Sequence, residues 1–170
     1  MVLRFLPAAL ITAALLAPTA AGAAAACDPG ACRPRTGAWQ APSPQKLPRD
    51  SFTGRPYVLN ARVAFVRAGR TVRSKYGNTV TDFSTTLRYH CPKGSGTAWS
   101  QQGFIIAKPI RLARDGTASV VDPGYLSNTP HRIILKFDRT TFTGRISGSV
   151  TTSDGLTCNA SASFAGKLRS

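Results

Sequence analysis

Residues 154–168 read DGLTCNASASFAGKL, and the alternation in this stretch decides the fold. Along an extended chain Cys158, Ala160, Ala162 and Phe164 fall on one face, and Asn159, Ser161, Ser163 and Ala165 fall on the other. The cysteine therefore sits on the buried face of a strand. Upstream, FSTTLRYHC at residues 83–91 has the same pattern: Phe83, Thr85, Leu87, Tyr89 and Cys91 share one face, and Ser84, Thr86, Arg88 and His90 share the other. Its cysteine is also on the apolar side, just before Pro92. A staple between the two strands is the natural inference.

Other stretches with period-two or continuous apolar character are residues 57–66 (YVLNARVAFV), 103–112 (GFIIAKPIRL), 117–121, 132–137 (RIILKF) and 141–152. In the last, Phe142, Ile146 and Val150 share a face with Gly144 and Gly148, and two residues without side chains there invite close approach by a neighbour. ArgAspGly at 114–116 and SerAspGly at 153–155 carry the glycine that hairpin turns need, so each is expected to join antiparallel neighbours. No segment sustains a helical period. The expected fold is all-β: an antiparallel meander of about seven short strands, closed as a sandwich or a small barrel.

The N-terminus, MVLRFLPAALITAALLAPTAAGAAAAC, has one early cation, an apolar run and small-residue cleavage options, which is the form of a secretory signal peptide over residues 1–26. A retained anchor helix and a lipid anchor on Cys27 are the alternatives. Residues 27–54 contain Pro29, Pro34, Pro42, Pro44 and Pro48 without an apolar period, and read as a Pro-rich, disordered tether, with Trp39 either loose or laid against the domain. The β domain is expected over residues 55–170. Four cysteines in an exported chain imply bridges in an oxidising compartment. Of three connectivities, Cys27–Cys32 and Cys91–Cys158 are favoured.

Among the 170 residues, 22 Lys and Arg face seven acids, all aspartate, for a formal charge of +15. Loss of the leader removes only Arg4 and leaves +14. Such an excess favours adhesion to polyanions and to anionic surfaces. The densest feature is ARVAFVRAGRTVRSKYGN at 61–78, where Arg62, Arg67, Arg70, Arg73 and Lys75 occur with no acid among them. Arg67, Arg70, Arg73 and Lys75, with Tyr76 as a stacking surface, form the candidate polyanion site. The plainer reading is a solvated loop on a basic protein. No nucleic-acid-binding motif accompanies these residues, so sequence-specific nucleic-acid binding is not expected.

Catalytic signatures are sparse. No G-x-S-x-G elbow or P-loop occurs, and adjacent His90 and Cys91 point to opposite faces of one strand and so cannot share an ion. The only methionine, Met1, lies in the leader, which removes a cupredoxin-type copper site. No metal or cofactor is expected, and no catalytic residue is assigned. A small hydrolase using His131 or His90 as base is the alternative to a non-enzymatic domain.

FTGRISGSV at 142–150 followed by TCNASASFAGKL at 157–168, with the leader, the Pro-rich segment and the cysteine strand at 83–91, resembles small secreted, disulfide-linked bacterial β domains. In that group, which has no assigned activity, an F-x-G-x-[IV]-x-G hairpin precedes a lone cysteine and a closing strand. The resemblance implies export and a bridged β fold and supplies no catalytic residue. The expected function is a secreted, extracellular domain that binds an anionic polymer, a cell-envelope surface or another protein.

Overall fold

A computed structural model describes residues 33–43, 45, 47, 49, 53–93, 96–125, 129–153 and 155–169. Residues 1–26, read from the sequence as a signal peptide, and Cys27 and Cys32 lie outside the described residues. The fold is all-β and antiparallel. Its strands are β1 (Gly37–Pro42), β2 (Val58–Arg67), β3 (Arg70–Val72), β4 (Thr79–Lys93), β5 (Gly96–Ile105), β6 (Ile110–Arg111), β7 (Thr117–Asp122), β8 (His131–Phe137), β9 (Thr141–Thr151) and β10 (Thr157–Leu168). They join in the order β5-β4-β2-β1-β10-β9-β8-β7, with β3 added to β2 and β6 added to β4.

The two strands read from the sequence pack as their alternation requires. Cys158, Ala160, Ala162 and Phe164 are buried on β10, and Phe83, Thr85, Leu87, Tyr89 and Cys91 are buried on β4. β1 is only six residues long, so beyond it β4 and β10 come together directly, in the register Asn159↔His90. That register sets Cys91 opposite Cys158, with Cα atoms 4.1 Å apart, and the two are joined by a disulfide. Such a bridge is compatible with an extracellular location.

β1 corrects the expected domain boundary, because it lies inside the segment read as a disordered tether over residues 27–54. The cause is Trp39, which is 1 % exposed and packs edge-on against Phe137 at 5.2 Å and Phe142 at 5.9 Å. Burial of an indole is one of the larger single gains open to a small domain. No proline interrupts residues 35–41, so the backbone is free to pair with both β2 and β10. Gln45 is also tied down, accepting from the Arg88 amide at 2.7 Å and donating to the Arg88 carbonyl at 3.1 Å. The ordered domain thus begins well before residue 55.

The stretch 103–112, expected as one strand, is divided at Pro109, which has no N–H to give to a ladder. β5 stops at Ile105 and the short β6 resumes at Ile110. The 114–116 turn accordingly does not link sheet neighbours, as was expected of it. β6 pairs with β4, whereas β7 pairs with β8, so the turn carries the chain from one part of the sheet to another. The 153–155 turn does join antiparallel neighbours, β9 and β10. Strands β1, β3 and β6 account for the excess over the seven expected.

The two ends of the strand order meet at one point. The Tyr125 amide, just beyond β7, donates to the Ile105 carbonyl at the end of β5 at 2.7 Å, and the Ala107 amide donates to Asp122 Oδ1 at 2.8 Å. Asp122 is buried, and its Oδ1 also accepts from the Gly124 amide at 2.8 Å. Its role in closing this seam follows from a carboxylate's capacity for several donors.

Candidate functional site

The basic segment folds as a hairpin. β2 and β3 pair in the register Phe65↔Val72, Val66↔Thr71 and Arg67↔Arg70, leaving Ala68 and Gly69 as a two-residue turn. Both have positive φ, 48° and 76°, as a type I′ turn demands. The geometry sets Arg67 directly opposite Arg70, with Cβ atoms about 5 Å apart. Like charges so placed repel. Both are exposed, so solvent screens the repulsion without abolishing it.

The base of the hairpin is held firmly. Asn78 takes the place of a strand neighbour for Val66, accepting from its amide at 2.8 Å through Oδ1 and donating to its carbonyl at 3.0 Å through Nδ2. Thr79 Oγ1 donates to the same Oδ1 at 2.9 Å. Residues 73–77, expected to be a loop, are pinned against the start of the ordered chain. The Thr36 amide donates to the Lys75 carbonyl at 3.1 Å, Thr36 Oγ1 donates to the Ser74 carbonyl at 2.7 Å, and the Gly77 amide donates to the Pro34 carbonyl at 2.8 Å.

Of the five residues singled out in the sequence, the fold brings Arg67 and Arg70 together at the hairpin tip. Arg73 lies further down, lining a groove of about 500 Å³ with Arg62, Thr36, Phe65 and Ser74. Lys75 places its ammonium 5.6 Å from the centre of the Tyr76 ring, so this half-buried ring already has a cation beside it.

A second groove, of about 620 Å³, lies beside the hairpin and is lined by Arg67, Arg33 and Arg111, with Phe65, Asn78 and Pro109 among its other walls. Among the described residues, no acidic side chain lines either groove. Sequence reading missed Arg33 and Arg111 because neither belongs to the basic segment. Arg111 arrives through the pairing Thr79↔Arg111, on the strand that also pairs Ala64↔Thr79. No local signal reports such a register.

The histidines occupy different environments. His90 is exposed on β4, between Trp99 and Asn159 in the ladder. His131 is fully buried, with Nδ1 2.7 Å from the Thr129 carbonyl and Nε2 2.6 Å from the Tyr89 hydroxyl. A carbonyl can only accept, so Nδ1 carries the proton, and Nε2 accepts from Tyr89. Both ring nitrogens are thereby engaged. Burial lowers the His131 pKa below its ordinary value, while the Thr129 carbonyl and the Asp122 charge act in the opposite direction.

Among the described residues, no group of three or more His, Cys, Asp or Glu side chains is placed to hold a metal ion. The Cys27–Cys32 pairing lies outside the described residues. Comparison with models of protein families, with curated proteins and with solved structures finds no match.

Proposed function

We propose that this protein is a secreted, non-enzymatic domain that holds an anionic extracellular polymer through the β2–β3 hairpin. The observation that carries the reading is the direct opposition of Arg67 and Arg70 at an exposed tip. Two guanidinium groups facing each other repel when alone and attract jointly when an oxyanion lies between them. The turn and the Asn78 clamp present them on a rigid ribbon, which lowers the ordering cost of binding. The overall excess of cations brings polyanions to the surface, and the tip supplies a local reason for them to stay.

The test is the salt dependence of binding to an acidic polymer such as heparin or a teichoic-acid-type polyol phosphate. Arg67→Gln with Arg70→Gln is compared with Lys108→Gln and Lys167→Gln, which removes the same charge from exposed positions elsewhere. Each lost contact lowers the slope of log K against log salt by roughly 0.7–0.9. The hairpin pair should lower it more than the control pair. Equal losses would mean that net charge alone is at work.

A further inference from the structure

The hairpin has two flanks, and they differ in charge balance. On one flank Arg62 and Arg73 line the smaller groove, but Arg62 stands directly opposite Asp82 in the β2–β4 ladder. That register places one carboxylate on the ladder beside this flank, so its charge is not purely cationic. On the other flank Arg33, Arg67 and Arg111 come from three separate segments and line one groove of about 620 Å³, with no acid among the described residues that line it. Asn78 and Thr79, which also line it, hold each other and the Val66 backbone, so the floor between the arginines is braced.

Building on the proposed hairpin reading, we infer that the groove lined by Arg33, Arg67 and Arg111 seats the ligand's charged groups, and that the ligand is a linear chain of tetrahedral oxyanions, phosphodiester or sulfate ester. Three guanidinium forks reaching a groove from different elements suit an anion whose oxygens do not lie in one plane. A carboxylate offers two coplanar oxygens, which one fork satisfies. Among the described residues, the groove walls provide only the half-buried Phe65 as an aromatic surface. Single-stranded nucleic acid normally stacks successive bases on several such rings, so a chain without bases fits better.

The experiment uses the full secreted chain and three double variants, each losing two positive charges: Arg33→Gln/Arg111→Gln, Arg62→Gln/Arg73→Gln, and the hairpin-tip pair Arg67→Gln/Arg70→Gln. Affinity is measured against salt for poly(glycerol phosphate), dextran sulfate and polyglutamate. The Arg33/Arg111 pair should lose roughly 1.4–1.8 in salt slope for the phosphate and sulfate polymers, and the Arg62/Arg73 pair should lose much less. Phosphate and sulfate polymers should bind more tightly than polyglutamate of similar charge density at the same salt.

Loss at the tip pair with none at Arg33/Arg111, or a larger loss at Arg62/Arg73, would overturn the groove assignment and leave the hairpin reading standing. Equal losses from all three pairs would remove both. Equal affinity for polyglutamate would overturn the oxyanion class. A preference between poly(glycerol phosphate) and dextran sulfate identifies which source of the shared chemistry the groove takes. Tighter binding of a single-stranded oligonucleotide than of either polymer would overturn the base-free chain.

Discussion

The Tyr89 hydroxyl stands 2.6 Å from Nε2 of His131, and both side chains are fully buried. The ring of His131 also lies against Phe104, with centroids 4.7 Å apart, so the hydrogen bond is enclosed by apolar surface. A buried acceptor that loses its donor costs more than a hydrogen bond contributes on balance. Tyr89→Phe is therefore expected to destabilise the fold by about 1–3 kcal/mol. Urea unfolding at neutral pH measures this, and an unchanged midpoint would show that Nε2 finds another donor.

The same pair fixes the sign of the pH dependence. Burial holds the His131 pKa below its ordinary value, so as the pH falls past about 6.5 the unfolded chain takes up a proton that the folded protein refuses. Stability contributed by neutral His131 is present above that pH and is lost progressively below it. At the alkaline end, burial pushes Tyr89 up to about 12. The contribution of its protonated form is complete below about pH 10 and is lost as the pH rises through the folded value. Unfolding free energy should fall on both sides, and tyrosinate absorbance should report one late-titrating ring. A profile flat from pH 8 to pH 5 would contradict the acid limb.

The strands that carry the fold were readable because their burial is single-sided: the alternation in 83–91 and 157–165 survives unchanged in the burial of each residue. The close approaches foreseen at Gly144 and Gly148 are also present. A Cβ on Gly148 would lie 2.3 Å from the His131 ring, and one on Gly144 would lie 2.5 Å from Phe164. β1 was hidden because its contribution comes from one aromatic residue in a proline-rich setting, and short β3 and β6 carry too few residues to show a period. The candidate groove was only half readable. Arg67 belongs to the basic segment, whereas Arg111 reaches the groove by strand register and Arg33 by the docking of residues 34–36 against 75–77, neither of which composition encodes.

The Cys91–Cys158 bridge joins β4 to β10 where the two strands share a single register pair. The backbone ladder there is a single pair, and the covalent link adds to the packing of Phe83 on β4 against Phe164 on β10, with ring centroids 5.9 Å apart. The bridge spans a sequence separation of 67. Replacing both cysteines with alanine should cost roughly 2–5 kcal/mol. Peptide mapping without reductant should recover one linked peptide pair, and thermal unfolding gives the loss. Free thiols at both positions would remove the staple.

Thr85 presents the opposite situation on the same strand as Tyr89. Its hydroxyl is buried and has no hydrogen-bond partner among the described residues, since its neighbours on that face are apolar. A valine in its place keeps the branched shape, which suits a strand, and removes the desolvated oxygen. Thr85→Val should raise stability by about 1 kcal/mol. Chemical denaturation is the measurement, and a loss of similar size would imply that the hydroxyl has a partner after all.

Arg67 and Arg70 lead to the prediction that separates function from architecture. If their opposition is retained for binding, it should cost the free protein something, because like charges directly across a hairpin destabilise it. Arg70→Gln should then raise the thermal midpoint at low ionic strength, and the gain should shrink as salt screens the repulsion in the parent protein. The same change should weaken binding to poly(glycerol phosphate) or dextran sulfate and lower the salt slope by roughly 0.7–0.9. Opposite signs in the two measurements are the signature of a site maintained against stability. A variant that loses stability while binding unchanged would show that Arg70 serves the hairpin alone, and the tip would then be an ordinary solvated turn.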